Sequence, residues 1–427
     1  MAFTLFGMML VLIILNMPIA FAIGISTLAS LWLHTPIPAL VIPQRILVSL
    51  DSYVMLSIPL FVLAGYLMET GGISEKIVRL AYALVGFIRG GLAMVVIVAT
   101  IIFSGLSGSS VADTAAIGSV MIPTMTRRGY SREFTTALVA AAGGMGILVP
   151  PCILMIIYAM LTETSVAQLF AAGFLPAFIM GGSMILITYT IARKRGFPVE
   201  ASFSFREVVD AARSAFFPLM MPVIILGGIL LGVFTVTESA AVAVLYGFIL
   251  TVGVYRQIRL RDLPAIFVKT AVTTGVVAFL IAASTAFGWV LGRERIPHMI
   301  AEFIGRISGS SVMFLLAVNV LLLITGTFMD GAAAIILMVP ILWPIGSALG
   351  IHPIHFGIVL TANVGIGMVT PPFGLTLFTA CGIGQVGIAD IFKDLLPFIA
   401  VMIVALLLIT YWPSMTLFIP RLLFEMR

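Results

Sequence analysis

The chain has 427 residues, of which 61% are hydrophobic and 9% charged, with a formal net charge of +5 at pH 7. Soluble domains carry roughly 25% charged residues, so this composition excludes an ordinary soluble protein. The basic residues are scattered among short loops, which excludes a nucleic-acid-binding face and fits the positive-inside rule of membrane helices. Apolar runs of about 20 residues recur along the chain, each long enough to cross a bilayer. We therefore predict an all-α polytopic membrane protein in contact with membrane lipid.

The first segment, residues 1–73, is predicted to form scaffold helices. The stretch Phe3–Leu33 lacks a basic n-region and is too long for the apolar core of a signal peptide, so we expect a retained helix running outward from a cytoplasmic N-terminus. The stretch Arg45–Glu69 runs back inward. Residues 74–92 follow as an amphipathic arm on the cytoplasmic side.

Residues 93–192 are predicted to form the first half of a transport domain. The apolar stretch 94–124 is interrupted by the polar segment Ser104–Ser110, which indicates a hairpin that enters the membrane and leaves on the same side. A helix broken by glycine and proline occupies 134–161, and Val166–Ala192 returns to the cytoplasm.

Residues 193–291 are predicted to form a second set of scaffold helices. An amphipathic cytoplasmic segment, Phe203–Arg213, precedes the membrane helices Phe216–Phe234, Ser239–Val254 and Val268–Leu291. In this layout each helix reverses the direction of the one before it.

The last part of the chain is predicted to repeat the transport half. An outer arm covers 292–311, and 312–427 contains a hairpin at 312–345 and a broken helix at 356–381. The final helix, Leu395–Ile419, places the C-terminus outside.

A duplication explains this order. The signature of Gly144–Pro151 returns in Gly365–Pro372, and a ten-residue spacing from aspartate to proline occurs in both Asp113–Pro123 and Asp330–Pro340. The predicted layout puts 16 of the 22 basic residues on the cytoplasmic side, which sets the orientation. The two hairpins then enter from opposite sides, so we predict two inverted-topology repeats.

The first hairpin tip and the first break together predict a cation site. Prolines lack an N–H, so carbonyls one turn earlier lose their partners, and irregular backbone survives in hydrocarbon only where it lines a site. Oxygen ligands alone suit Na⁺ better than a transition metal. The alternative is that the serines and the aspartate only cap a helix. The predicted ligands are Ser104, Ser107, Ser109, Asp113, Gly144, Gly146, Val149 and Pro151.

The second half repeats the arrangement, so we expect at least two Na⁺ ions. A kink without a ligand is the alternative for each double proline. The second set of predicted ligands is Thr325, Thr327, Asp330, Asn363, Gly365, Gly367, Thr370 and Pro372. A substrate carboxylate is expected between the two tips, where half-helix N-termini attract an anion. The predicted substrate residues are Ser107, Ser109, Ser110, Thr327 and Asp330.

Other polar features carry weaker predictions. The segments Thr162–Ser165 and Thr235–Ser239 are expected to cap helices. His352 and His355 are not expected to bind a metal, because no further ligands are near in sequence. The knot Arg293–Arg295 is either a salt-bridged helix end or a contact for an anionic substrate or an outer partner.

The two competing function classes are an ion channel and an intramembrane enzyme. A channel or cation-conducting subunit would usually carry Lys, Glu or His at mid-membrane, which the sequence does not show. An intramembrane enzyme is disfavoured because the sequence has no His-Glu-x-x-His or Gly-x-Ser-x-Gly motif and no phosphate-binding loop.

The chain closely resembles the large membrane subunit of the tripartite ATP-independent periplasmic (TRAP) transporters, with Val236 as one departure where proline is expected. The resemblance covers essentially the whole chain. The segments that carry it are Phe103–Ala115, Gly144–Pro151, Gly232–Ala241, Met329–Asp330 and Gly365–Pro372.

That resemblance implies a Na⁺-coupled secondary importer of organic acids that works by an elevator mechanism in the bacterial inner membrane. It also implies a small four-helix membrane subunit and a periplasmic substrate-binding protein, both expected as separate polypeptides. Family substrates are carboxylates, including C4-dicarboxylates and sialic acids. Backbone sites bind any carboxylate, so these residues do not select one acid.

Overall fold

The structure is a computed structural model that describes residues 1–38, 40–200, 202–296, 299 and 310–424. Its described residues form nineteen α-helices. The first half contains α1 (Ala2–Ile14), α2 (Ile19–His34), α3 (Val41–Leu50), α4 (Ser57–Thr70), α5 (Ile73–Val85), α6 (Gly91–Ser107), α7 (Ser110–Arg127), α8 (Arg132–Gly146), α9 (Ile153–Thr162) and α10 (Val166–Lys194). The second half contains α11 (Phe205–Leu230), α12 (Val236–Phe248), α13 (Leu263–Arg293), α14 (Ser311–Phe328), α15 (Gly331–Ala348), α16 (Pro353–Gly367), α17 (Leu375–Gly384), α18 (Ile388–Tyr411) and α19 (Pro413–Phe424).

Seven helices of the described residues are long and apolar enough to cross a membrane, and the bent pair α3–α4 would make an eighth span. A span needs about 20 residues at 1.5 Å of rise each. The all-α polytopic fold predicted from composition is confirmed.

The predicted single helix over Phe3–Leu33 is wrong. The chain turns at Asn16, whose φ is +62°, and Pro18 then starts a second helix from an extended backbone. The two helices fold back on each other, because Ser30 donates a hydrogen bond to the Met1 carbonyl (3.3 Å). Residues 1–34 therefore form a hairpin whose two ends lie side by side, in place of the single helix from which the cytoplasmic N-terminus was predicted.

Three further boundaries differ from the prediction. The α3–α4 stretch is bent by 64°. The predicted separation of Phe203–Arg213 from the next span is wrong, since α11 is one 26-residue helix that Ser204 caps by accepting a hydrogen bond from the Glu207 N–H. The predicted last helix Leu395–Ile419 is wrong because Trp412 leaves helical geometry and Pro413 begins a new helix.

Both predicted hairpins are present. Helices α6 and α7 meet at Gly108 and Ser109, with Gly108 in the left-handed region at φ +63°. Helices α14 and α15 meet at Met329 and Asp330. In each case two residues reverse the chain and a polar side chain starts the returning helix.

Both predicted broken helices are also present. Helix α8 ends at Gly146 and α9 starts at Ile153, while α16 ends at Gly367 and α17 starts at Leu375. The prolines of each signature lie in the gap, where they cannot supply a helical N–H.

The two predicted arms differ in how far the structure describes them. The cytoplasmic arm at 74–92 begins with the amphipathic helix α5, whose Ile77 and Leu80 are buried and whose Glu75 and Arg79 are exposed. Most of the predicted outer arm at 292–311 lies outside the described residues.

The main core lies among the hairpins and broken helices. Large aromatic side chains from α6, α8, α9 and α16, including Phe103, Phe134, Tyr158 and Phe356, are fully buried there. Helices α2 and α13 instead expose apolar side chains such as Trp32 and Val272. This contrast fits a packed inner body flanked by helices that face lipid or other membrane chains.

Candidate functional site

The first tip is built around the carboxylate of Asp113, which is fully buried. Asp113 lies in the first turn of α7, and it accepts hydrogen bonds from the hydroxyls of Ser104 and Ser107 on the other arm of the hairpin. Among the described residues no basic side chain forms an ion pair with it. A buried carboxylate needs hydrogen-bond or ionic partners, and among the described residues Asp113 has two hydroxyl donors and no basic side chain.

The first break packs directly on that tip. The position of a Cβ on Gly146 would be 2.7 Å from an Asp113 carboxylate oxygen, so only glycine fits there. Gly108 approaches the Pro151 carbonyl just as closely. Within the described part of the chain, the carbonyls of 147–151 receive no hydrogen bond. The first tip and the first break are therefore in contact, and the role of the free carbonyls as ligands stays a prediction.

The second tip repeats the pairing with different chemistry. Asp330 caps α15 by accepting a hydrogen bond from the Ala332 N–H (3.1 Å). The Gly374 N–H donates to the Thr327 carbonyl (3.2 Å), which joins tip and break. In the described structure, the carbonyls of 369–372 receive no hydrogen bond.

The two breaks meet each other at matching residues. A Cβ on Gly144 would lie 2.6 Å from the Gly365 carbonyl oxygen, and a Cβ on Gly365 would collide with the Gly144 carbonyl. Gly144 and Gly365 are the first residues of the two signatures, so equivalent positions of the two repeats are in contact. A two-fold relation between the repeats produces such a contact.

Asn363, a predicted ligand at the second break, uses its amide N–H groups to join two helices, while its Oδ1 is buried without a hydrogen-bond partner among the described residues. Its amide donates to the Asn319 side-chain oxygen and to the Val359 carbonyl, both at 2.8 Å. Asn319 lies on α14, six residues before Thr325, and also bonds to Thr410 (3.1 Å). The side chain of Asn363 thus ties α16 to α14. The only sequence signal for Asn319 is an amide within an apolar run.

Three predicted hydroxyls are engaged by backbone carbonyls close to them in the chain. Thr325, Thr327 and Thr370 each donate to a carbonyl three or four residues earlier. Threonine hydroxyls do this readily in helices. These donations leave lone pairs on the three hydroxyl oxygens, which can still accept a hydrogen bond or coordinate a cation.

A cavity lies between the two tips. It has a volume of about 120 Å³ and is lined by Ser109, Ser110, Asp330 and Gly331 together with side chains from α4 and α13. The Ser110 hydroxyl is buried and has no hydrogen-bond partner. An adjoining cavity of about 50 Å³ reaches Ser107. Four of the five predicted substrate residues therefore line connected spaces, and Thr327 does not.

The wall opposite the tips was not found by sequence reasoning. Tyr66 of α4 and Thr273 of α13 line the smaller cavity, and their hydroxyls lie 2.9 Å apart. A Cβ on Gly65 would be 2.9 Å from the Ser107 carbonyl, so α4 presses against the first tip. No local pattern marks these residues, because nothing in their own helices breaks. A larger cavity of about 520 Å³, between α3, α13 and α15, contains none of the predicted site residues.

The weaker predictions about helix ends are confirmed where the structure describes them. Thr235 and Glu238 form a reciprocal capping box, and Ser165 caps α10. Arg293 and Glu294 form an ion pair at 4.0 Å. His355 bonds to Thr416 and to the Thr410 carbonyl.

Comparison with known proteins decides the family. The model of the tripartite ATP-independent periplasmic transporter DctM component matches residues 6–415. The chain belongs to the TRAP large-permease family. This match confirms the resemblance that the motifs indicated. A member of this family is a secondary transporter and not an enzyme.

Two relatives of this TRAP permease match along nearly their whole length, and a third matches over about two thirds of its own. It is 40% identical to a C4-dicarboxylate TRAP transporter large permease of Pseudomonas aeruginosa, covering 94% of each chain. It is 38% identical to a sialic acid TRAP transporter large permease of Vibrio cholerae, covering 96% of each. It is 37% identical to an isethionate TRAP transporter permease of Oleidesulfovibrio alaskensis, covering 97% of this chain and 65% of that one.

A solved structure supports the fold alone. The YdaH transporter of Alcanivorax borkumensis, described as having an unusual topology, superposes with a TM-score of 0.64 over 86% of this chain and 87% of the other. The two sequences are 16% identical. The likeness therefore extends to the arrangement of helices.

Proposed function

We propose that this TRAP permease is the membrane subunit of a Na⁺-coupled importer of small organic acids. The observation that carries the proposal is the charge at the tips. Asp330 lines the cavity, Asp113 is buried just behind it, and no described residue that lines either cavity is basic. A carboxylate substrate that bound about 4 Å from either aspartate carboxylate would be repelled by about 4 kcal/mol at an effective dielectric constant of about 20. A carboxylate substrate can enter such a site only together with cations.

The proposed first Na⁺ site lies between Asp113 and the free carbonyls of 147–151. The proposed second site lies between Asp330, Thr325 and the free carbonyls of 369–372. Hard cations prefer oxygen ligands of this kind. The separation of the two sites, one per repeat, supports at least two coupling ions.

The substrate carboxylate is proposed to bind between the tips, where the unpartnered hydroxyl of Ser110 and the N-terminus of α7 both face the cavity. Backbone N–H groups at a helix start favour an anion. The relatives named for C4-dicarboxylates and sialic acid indicate the class of acid, while its identity is left to the assay below.

We further propose an elevator motion. Both tips and both breaks pack on one another, so helices α6–α10 and α14–α19 would move as one body. Of the remaining helices, α1–α4 and α11–α13 would stay as the scaffold, with residue contacts such as Gly65 on Ser107 sliding during transport. Inverted repeats support such a motion because they supply inward-facing and outward-facing states of similar energy.

A small membrane subunit and a periplasmic substrate-binding protein are the proposed partners, and the bacterial inner membrane is the proposed location. The chain covers 65% of the permease named DctMQ, a relative whose remaining length leaves room for such a membrane subunit. We place the C-terminus on the outer side and, because α1 and α2 form a hairpin, the N-terminus on the outer side as well.

Uptake into proteoliposomes that contain the complete transporter tests the proposal. Uptake of radiolabelled succinate and sialic acid is measured with Na⁺ and with choline in its place. Asp113→Asn is expected to raise the Na⁺ concentration at half-maximal uptake by about tenfold, equivalent to about 1.4 kcal/mol. Asp330→Asn is expected to do the same at the second site.

The matched control is Asp210→Asn, which removes an exposed carboxylate of α11. It is expected to behave like the unaltered protein. Uptake that is independent of Na⁺, or Na⁺ flux without any acid, would contradict the proposal and favour a channel.

A further inference from the structure

The scaffold wall of the tip cavities carries a small polar cluster. Tyr66 and Thr273 line the cavity next to Ser107 and Ser109, and the Tyr66 and Thr273 hydroxyls are 2.9 Å apart. Neither residue belongs to the tips or to the breaks. They lie on α4 and α13, which the proposed mechanism leaves in place while the tips move.

One lysine lies directly beside this cluster. The Lys269 ammonium nitrogen is 4.1 Å from the centre of the Tyr66 ring and 3.7 Å from a Glu69 carboxylate oxygen. Its side chain is 58% exposed, whereas that of Glu69 is 22% exposed. Lys269 precedes Thr273 by four residues, about 6 Å along the helix. Lys269 thus lies beside the cavity, on the side toward the first residues of α13.

No other basic residue is comparably placed on the described helices that line the cavities. On α13 the next one is Arg293, twenty residues beyond Thr273, and on α7 it is Arg127, fourteen residues beyond Asp113. At 1.5 Å per residue these lie roughly 30 Å and 20 Å away along their helices. Lys269 is therefore the nearest protein cation along the lining helices to a site that holds two carboxylates.

We propose that Lys269 is a substrate-path residue of the scaffold, which exchanges its ion pair with Glu69 for one with the substrate carboxylate as the acid leaves the tips. The inference rests on the proposed function, since it needs an anionic substrate in the tip cavity. Tyr66 holds the ammonium group next to the path through a cation–π contact. Glu69 competes with the substrate and so lets the acid go.

Two substitutions of opposite sign separate this role from a structural one. Lys269→Gln removes the cation and is expected to raise the KM for the acid by about fivefold, the upper range for an exposed ion pair. Glu69→Gln removes the competitor and is expected to lower the KM, and to slow turnover because release is delayed. A purely structural ion pair predicts the same direction for both, because either change breaks the pair.

Lys76→Gln is the matched control. Lys76 also stacks on a tyrosine, with its nitrogen 4.4 Å from the Tyr255 ring centre, but it lies on α5 and lines neither cavity. It is expected to leave the KM unchanged.

The experiment is the proteoliposome uptake assay with radiolabelled succinate and sialic acid, at saturating and at varied Na⁺. If the unaltered protein takes up one acid with Na⁺ while Lys269→Gln and Glu69→Gln match Lys76→Gln, the inference alone is overturned. If the unaltered protein takes up neither acid, the proposed function fails, and the inference with it. Opposite shifts in KM with an unchanged half-maximal Na⁺ concentration support the inference.

Discussion

The crossing of the two breaks is held by glycine on both sides, so an added methyl group there should separate the halves of the site. In Gly144→Ala the new Cβ would lie 2.6 Å from the Gly365 carbonyl oxygen, while ordinary contact begins at 3.4 Å. The helices would have to separate by about 0.8 Å at this point. The Gly365 carbonyl is a backbone group that cannot rotate away, and the new Cβ would also collide with Cγ2 of Val369, whose β-branched side chain has little rotamer freedom.

The magnitude follows from two opposing terms. Overpacking of a tightly packed core costs about 1–3 kcal/mol, and replacing glycine by alanine inside a helix returns up to about 1 kcal/mol. We therefore expect Gly144→Ala to lose about 1–2 kcal/mol net. Gly365→Ala, where the contact is shorter still, should lose more.

Gly275→Ala supplies the control with the opposite sign. Gly275 lies in α13, and a Cβ there would have nothing within 4 Å. Only the helix-propensity term remains, so this variant should gain up to about 1 kcal/mol.

Thermal unfolding of the purified protein in detergent, followed by tryptophan fluorescence, measures the sign. Uptake in proteoliposomes measures the consequence for transport. The midpoints of Gly144→Ala and Gly275→Ala should move in opposite directions, and uptake should fall only in the first. A Gly144→Ala variant as stable and as active as the unaltered protein would show that the breaks do not meet as described.

Two further predictions follow from the termini and from the loop before α16. Single cysteines are placed at Ala2 or at Ser131 in a background where Cys152 and Cys381 are replaced by alanine. The cysteine at position 2 should react with a membrane-impermeant maleimide added to intact spheroplasts, and the one at position 131 should not. Labelling at position 131 alone would instead indicate a cytoplasmic N-terminus. His352 caps α16 with its Nδ1, and burial, assisted by nearby positive charge, lowers the pKa of His352 below its ordinary value of about 6.5. The neutral ring is therefore the stable form in the folded protein, and its contribution to stability is complete above pH 6.5 and is lost as the pH falls through the lowered pKa. Asparagine caps without titrating, so His352→Asn should flatten the acid side of a plot of unfolding midpoint against pH, and an unchanged slope would assign that dependence to other groups.

The features predicted correctly from the sequence are those encoded locally. The tips at Ser107–Ser110 and Met329–Asp330 and the breaks after Gly146 and Gly367 depend on glycine, proline and short polar side chains, whose backbone preferences act within a few residues. The same repeats, spaced alike in both halves, predicted the pairing of tip with break. Composition alone predicted the membrane fold.

The errors arose where the decisive contact lies elsewhere in the chain. The turn at Asn16 and Pro18 was overlooked because an apolar run of suitable length predicts a span, whereas the packing of α1 on α2 makes a hairpin. The role of Asn363 as a ligand stays a prediction, but its amide contact with Asn319, 44 residues away, was not foreseen. Whether a side chain points at a site or at a neighbouring helix is decided by packing.

By itself, then, the sequence determined that this chain crosses a membrane, repeats itself, and breaks its helices at Gly144–Pro151 and Gly365–Pro372. Only the tertiary structure decided that the two breaks touch at Gly144 and Gly365, and that Tyr66 and Thr273 line the smaller cavity from α4 and α13. The physical reason is the distance along the chain over which each effect acts. Backbone breaks follow from the covalent structure of single residues, whereas the closing of a site depends on which distant helices pack against each other.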